Sequence, residues 1–178
     1  MSATRTSASI RIGGHIRHDL VDPLIDVICA SEVSLDWCGP PFVPETASDL
    51  ADALGADGIL CLVDAEREGG AFTDLEVFLS EYRIAFDRAT GAAGDLDGET
   101  IRYRPEIGCT SWLADQAGEP VVVAAEVERA RVLVRSALEQ RAPEFVRRAL
   151  SALDQVLGPA VPGLEPFVIV AGTEGAAR

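Results

Sequence analysis

The sequence predicts an α+β fold in which two successive β-α-β units form a mainly antiparallel or mixed sheet with helices on one face, followed by two C-terminal amphipathic helices. Three observations lead there. Short segments of alternating polarity recur between residues 9 and 123, apolar stripes at helical spacing lie between them, and from residue 125 the pattern is helical until a last apolar run. A length of 178 residues suits one domain. We divide residues 1–178 into a sheet-and-helix body over about 8–123 and a helical part over about 124–158.

In "SASIRIGGHI", Ile10 and Ile12 alternate with Ser9 and Arg11 as in a half-buried strand, which Gly13 and Gly14 end. "RHDLVDPLIDVICASE" carries Leu20, Val21, Leu24, Ile25 and Ile28 at helical spacing, with Asp19 placed as its cap and Pro23 tolerable in the first turn. "VSLDW" reads as a second strand. After three prolines a short helix follows, with Ser48 as its cap and Leu50, Ala51 and Leu54 inward. "ILCLV", residues 59–63, is a continuous apolar run and so the expected centre of the sheet. In "FTDLEVFLSEYR", Thr73 and Glu76 have capping-box spacing, and Leu75, Phe78, Leu79 and Tyr82 form one stripe. "IAFD" and "TIRYRPEIG" then alternate as strands, with a further strand expected at Val121–Val123. Two helices close the pattern: Ala125–Gln140, with Val127, Ala130, Val134 and Leu138 in a stripe, and Glu144–Leu157, with Val146, Leu150, Leu153 and Leu157. "PFVIVAG" reads as a last strand.

Charge is the strongest compositional signal. The net charge is −14, with no lysine at all. Residues 1–128 hold 24 Asp and Glu against 8 Arg, a balance of −16; residues 129–178 hold 5 against 7, a balance of +2. Such a field repels nucleic acid and anionic membrane and steers a basic protein toward the body. Arg129, Arg131, Arg135, Arg141, Arg147 and Arg148 form the one basic series; without interleaved aromatics they are expected to pair with the body or to rim a protein interface. The opening "MSATRTSASIRIGG" has no apolar signal-peptide core and no segment approaches the ~20 apolar residues of a membrane span, so the expected location is the cytoplasm.

Motifs for chemistry are weak. His15, His18 and Asp19 sit together in "GGHIRHD" but lack a third ligand at metal-site spacing. "IGG" before a helix lacks both the third glycine of a dinucleotide turn and the lysine of a P-loop. Cys29, Cys38, Cys61 and Cys109 show no C-x-x-C pair and read as structural thiols, Cys29 and Cys61 as small apolar groups. "GDLDGE" carries Asp95, Asp97 and Glu99 without the 12-residue frame of a calcium loop, and reads as a solvated acidic turn. No cofactor or metal is expected from these patterns.

Two constellations remain. Asp64, Glu66 and Glu68, with Asp95, Asp97 and Glu99, are candidate contacts for a basic partner. Asp87, Arg88, Arg102 and Arg104 are the candidate ligand site of an alternative reading, a small ligand-binding domain or enzyme in which guanidinium and carboxylate groups hold a charged small molecule.

The run from Gly70, Phe72, Leu75, Phe78 and Leu79 through Ile84, Phe86, Asp87 and Arg88 to Tyr103, Arg104 and Pro105, with the opening "IRIGG", resembles a loosely defined group of small acidic proteins encoded near bacterial phage and plasmid genes. The likeness covers about two-thirds of the chain, ending before the last helices. It implies a genomic setting and a fold, with no activity attached. The expected function is a non-enzymatic acidic accessory protein of a mobile element that engages a basic partner, in its sharpest form as a nucleic-acid mimic or inhibitor.

Overall fold

The structure, a computed structural model, describes residues 4–94, 97–140, 143–158 and 160–171. Five antiparallel strands form its sheet in the order β3-β1-β4-β5-β6: β1 (Arg5–Gly13), β3 (Leu60–Glu68), β4 (Ala85–Thr90), β5 (Gly98–Arg104) and β6 (Gly108–Ala114). Every neighbouring pair is antiparallel. The fold is the expected α+β.

Sheet alternation sets the layers. Ala8, Ile10 and Ile12 of β1, Leu60 and Leu62 of β3 and Phe86 of β4 point to one face and are buried. There they meet α1 (Val21–Ala30) through Leu24, Ile25 and Ile28, and α3 (Thr73–Glu81) through Leu75, Phe78 and Leu79, in one continuous core. Because β3 and β4 both run antiparallel to the β1 between them, they are parallel to each other, and α3 is the crossover of a split β-α-β unit. α3 closes with the amide of Arg83 bonded to Ser80 O and that of Ile84 to Leu79 O, while Arg83 takes the left-handed φ of 58° usually left to glycine.

Several local expectations are corrected. "ILCLV" belongs to β3, which lies at the sheet edge rather than its centre; its outward residue Cys61 is exposed, and Ser34 caps the edge by exchanging backbone bonds with Val63. "VSLDW" supplies only that isolated bridging position, because the chain turns back at Asp36–Gly39. α2 (Ala47–Asp52) is capped by Thr46, not Ser48: its hydroxyl accepts from Asp49 N, and the Asp49 carboxylate accepts from the Thr46 amide at 2.8 Å. Asp19 caps nothing and pairs with Arg17 instead. At α3 half of the expected box survives, since Phe72 occupies the cap position and Glu76 accepts from its amide at 2.8 Å. The strand expected at 121–123 falls one segment earlier, as β6, with Val121 N bonded to Leu113 O.

α4 (Ala124–Gln140) and α5 (Pro143–Leu157) form a helical hairpin that packs chiefly on itself, through Ala130, Ala137 and Ala149. It is fastened to the sheet where the Trp112 indole N–H donates to Leu157 O at 2.9 Å. Gly158 makes this approach possible, for a Cβ there would stand 2.6 Å from the Trp112 ring nitrogen and its φ is +72°. The chain then returns to the body, where β7 (Val168–Val170) pairs in parallel with β2 (His15–Arg17) and Phe167 enters the core. At Gly13 a Cβ would lie 2.3 Å from Glu165 O, so this return also depends on a missing side chain.

Candidate partner-binding surface at the acidic end of the sheet

Antiparallel register brings distant acidic segments to one end of the sheet. Arg5 at the start of β1 stands opposite Glu68 at the end of β3, Thr90 at the end of β4 opposite Glu99, and Gly98 opposite Ala114. Asp64, Glu66 and Glu68 therefore share an end with Asp97 and Glu99, as the sequence reading grouped them; Asp95 lies outside the described residues. A groove of about 710 Å³ at this end is lined by Glu32, Asp64, Glu66, Glu68 and Asp74, with Arg5 and Arg67 as its cations. A second groove of about 450 Å³ continues past Gly69 to Asp97, Glu99 and Trp112. Asp115 and Glu119 follow β6 at the same end and are exposed.

Of the two cations here, Arg67 is committed to the fold. Arg67 stacks on the Phe72 ring at 4.7 Å, donates to Ser31 O at 2.8 Å and to Ala71 O at 3.1 Å, and so ties the end of α1 to the start of α3. Its pairing with Asp64, at 3.3 Å, is a by-product of that position. Arg5 pairs with Glu66 at 3.2 Å, but both side chains are mostly exposed, and such pairs are worth little. Among the described residues, Glu32, Glu68, Asp74 and Asp97 make no ion pair. A carboxylate-rich surface with its arginines occupied is what long-range attraction of a cation requires.

Glu32, Asp74, Asp115 and Glu119 were not singled out in the sequence. Each stands in a loop or a first helical turn: Glu32 is carried to this end by the Ser34–Val63 bridge and the Arg67 bond to Ser31, Asp74 by the turn from β3 into α3, and Asp115 and Glu119 by the β5–β6 pairing.

The alternative quartet does not converge. Arg88 faces the helix-covered side, where Nη1 donates to Gly70 O at 3.1 Å and the guanidinium lies between Glu76, at 3.2 Å, and Glu99. Asp87 and Arg104 face the opposite side and pair at 2.7 Å, Arg104 also donating to Pro162 O and Phe86 O. Arg102 lies over the Trp112 ring at 5.4 Å. Three arginines are thus used as internal ties: Arg88 from sheet to α3, Arg104 to the segment after α5, Arg102 along β6.

His15 and His18 are exposed on β2 and the turn after it, and no group of three metal-ligating side chains exists among the described residues. Arg17 holds the Asp19 carboxyl below the usual carboxylate range, first by its hydrogen bond. All four cysteines are free, and Cys61 is more exposed than Cys29, so it is not the apolar core group its sequence context suggested. Partial burial nonetheless raises the Cys61 and Cys109 thiols, so neither is an activated thiolate. Among the described residues, no helix is long and apolar enough to cross a membrane.

Comparison of the chain with protein-family models, with curated proteins and with solved structures gives no match.

Proposed function

We propose that this chain is a non-enzymatic acidic binding protein that engages a basic protein through the carboxylate-lined end of its sheet. The observation that carries the proposal is the gathering of Glu32, Asp64, Glu66, Glu68 and Asp74 in one groove, with Asp97 close by and Arg67 tied into the fold. We propose further that it acts in the cytoplasm, the location expected from the sequence, as an accessory factor of a mobile element, the genomic setting that the resemblance implies. Other carboxylates, among them Asp22, Asp26, Asp36 and Asp52, lie exposed on α1 and around α2. This spread favours recognition of a cationic protein segment over imitation of a phosphate row, since a mimic needs its charges on one surface.

The test is a titration of isotope-labelled protein with an arginine-rich peptide, followed by amide chemical shifts. Shifts concentrated at residues 64–74 and 97–99, and weakened as salt rises, are the expected result. Shifts of equal size on α1 and around α2 would overturn the proposal, because they would report net charge alone.

A further inference from the structure

We infer that the α4–α5 hairpin is a dimerisation element, and that its unpartnered apolar face is covered by the same hairpin of a second copy of this chain. The inference starts from helical geometry. With about 100° between successive residues, the side of α4 that meets α5 is centred on Ala130 and Ala137, and the side of α5 that meets α4 on Phe145, Ala149 and Val156. The apolar surface of each helix does not stop there. On α5 it continues through Val146, Leu150, Leu153 and Leu157, spaced 4, 3 and 4 residues apart, and on α4 through Val127, Val134 and Leu138.

In both helices these residues follow the contact line in the same rotational sense. Since the helices run in opposite directions, that shared sense leads to one side of the hairpin, so the two seams lie side by side. The other side is different: Glu126 and Arg129 line a shallow groove there, and the apolar surface around Ala125, Val132 and Leu133 belongs to α4 alone, with no matching seam on α5. Most of the seam is left uncovered by the described chain: Leu138 is 71% exposed, Leu150 54%, Leu157 55%, Val146 42% and Val127 37%, while Val134 and Leu153 are half-buried. Leucines at this spacing on two adjacent helices fit a partner that is itself a pair of helices, giving a four-helix bundle.

Area and charge point to a second copy. A standard interface buries about 800 Å² per partner, roughly 65% of it apolar in homodimers, which asks for roughly 500 Å² of apolar surface. The exposed parts of Val127, Leu138, Val146, Leu150 and Leu157, roughly 60–120 Å² each, with the smaller remainder of Val134 and Leu153, come to about that. Charge then selects the hairpin over the body for self-association. Residues 124–157 hold six Arg and five Asp or Glu, a balance of +1, which leaves −15 for the rest of a chain whose total is −14. Two copies meeting anywhere on the body would bring like fields together, whereas the hairpin is nearly neutral and carries both signs. A two-fold arrangement through this face also leaves the acidic end of each sheet outside the seam itself.

The experiment is sedimentation velocity on the full chain over a dilution series from about 100 μM to 0.1 μM, with a variant pair. The wild-type chain is expected to sediment at twice 18.8 kDa at the top of the series and to dissociate on dilution. Leu138→Glu with Leu150→Glu is expected to be monomeric throughout, while Val132→Glu, on the far side of α4, leaves the dimer intact. A wild-type chain that is monomeric at every concentration, or a double variant that remains dimeric, overturns the inference. Should the double variant lose helicity, hydrogen exchange of the wild-type chain decides. Protection that rises with concentration in residues 124–157 alone supports the dimer, and protection independent of concentration contradicts it.

Discussion

The body and the hairpin are both built from amphipathic segments, yet they use their apolar residues in opposite ways. In the body every stripe meets another: Leu24, Ile28, Leu75 and Leu79 are fully buried against Ile10, Ile12, Leu62 and Phe86. In the hairpin half of the stripe meets the neighbouring helix through small alanines and the other half faces outward. The body also carries the negative field, while the hairpin is near neutral. Periodicity states that an apolar face exists; the contacts decide whether the chain covers that face itself.

Core truncation should separate the two regions most sharply. Phe86→Ala, which removes a fully buried ring stacked on Tyr103, is expected to cost about 3–5 kcal/mol in denaturant unfolding, whereas Leu138→Ala in the dilute monomer should stay within about 0.5 kcal/mol. Comparable losses at both sites would mean that the hairpin is part of the core. The buried arginine comes next. Arg88→Ala leaves Glu76 and Glu99 facing each other at a shielded site, with an expected cost of about 2–3 kcal/mol, discounted because the Glu99 side chain is 42% exposed.

Smaller effects sharpen the same contrast inside the body. Thr46→Ala should cost about 1 kcal/mol by removing the cap of α2. Asp49, the other half of that cap, is held below the ordinary carboxylate value by hydrogen bonds from the Glu45 amide first and from Thr46 next. Its lowered folded value means that its contribution is complete above the ordinary carboxylate range and disappears as pH falls through the lowered one. Asp49→Asn should therefore flatten the acid limb of the stability curve, and an unchanged limb would remove Asp49 from its cause. Smallest of all, Glu32→Gly relieves a φ of 51° at the end of α1 and should leave stability unchanged or raise it by about 0.5 kcal/mol.

The elements were legible wherever local pattern decides them. Ile10 and Ile12 announced β1, the Leu75, Phe78, Leu79 stripe announced α3, and both late helices were found within one residue of their ends. What was hidden was pairing. The apolar run Ile59–Val63 looks like a central strand because Ser34 and α2 shelter an edge, and no local feature of "VSLDW" shows that its chain turns back. The candidate surface was half legible for the same reason: Asp64, Glu66 and Glu68 are neighbours in sequence, while Glu32 joins them only through the Ser34–Val63 bridge and the Arg67 bond to Ser31, and Asp74 through the turn from β3 into α3. The proposed ligand quartet failed to gather because alternate residues of a strand face opposite sides, which separates Arg88 from Asp87 at once.

The most direct measurement compares two variants of equal charge change. One, Asp64→Asn with Glu66→Gln and Glu68→Gln, neutralises the acidic groove; the other, Asp22→Asn with Asp26→Asn and Asp36→Asn, neutralises three exposed carboxylates on and just beyond α1. Binding of an arginine-rich peptide is read by fluorescence anisotropy at about 0.05 M and 0.3 M salt, where screening differs strongly. A groove variant weakened about tenfold at low salt beside a control weakened less than about twofold is the predicted result. Equal weakening of the two would contradict a defined acidic binding surface and leave only the total charge of the chain.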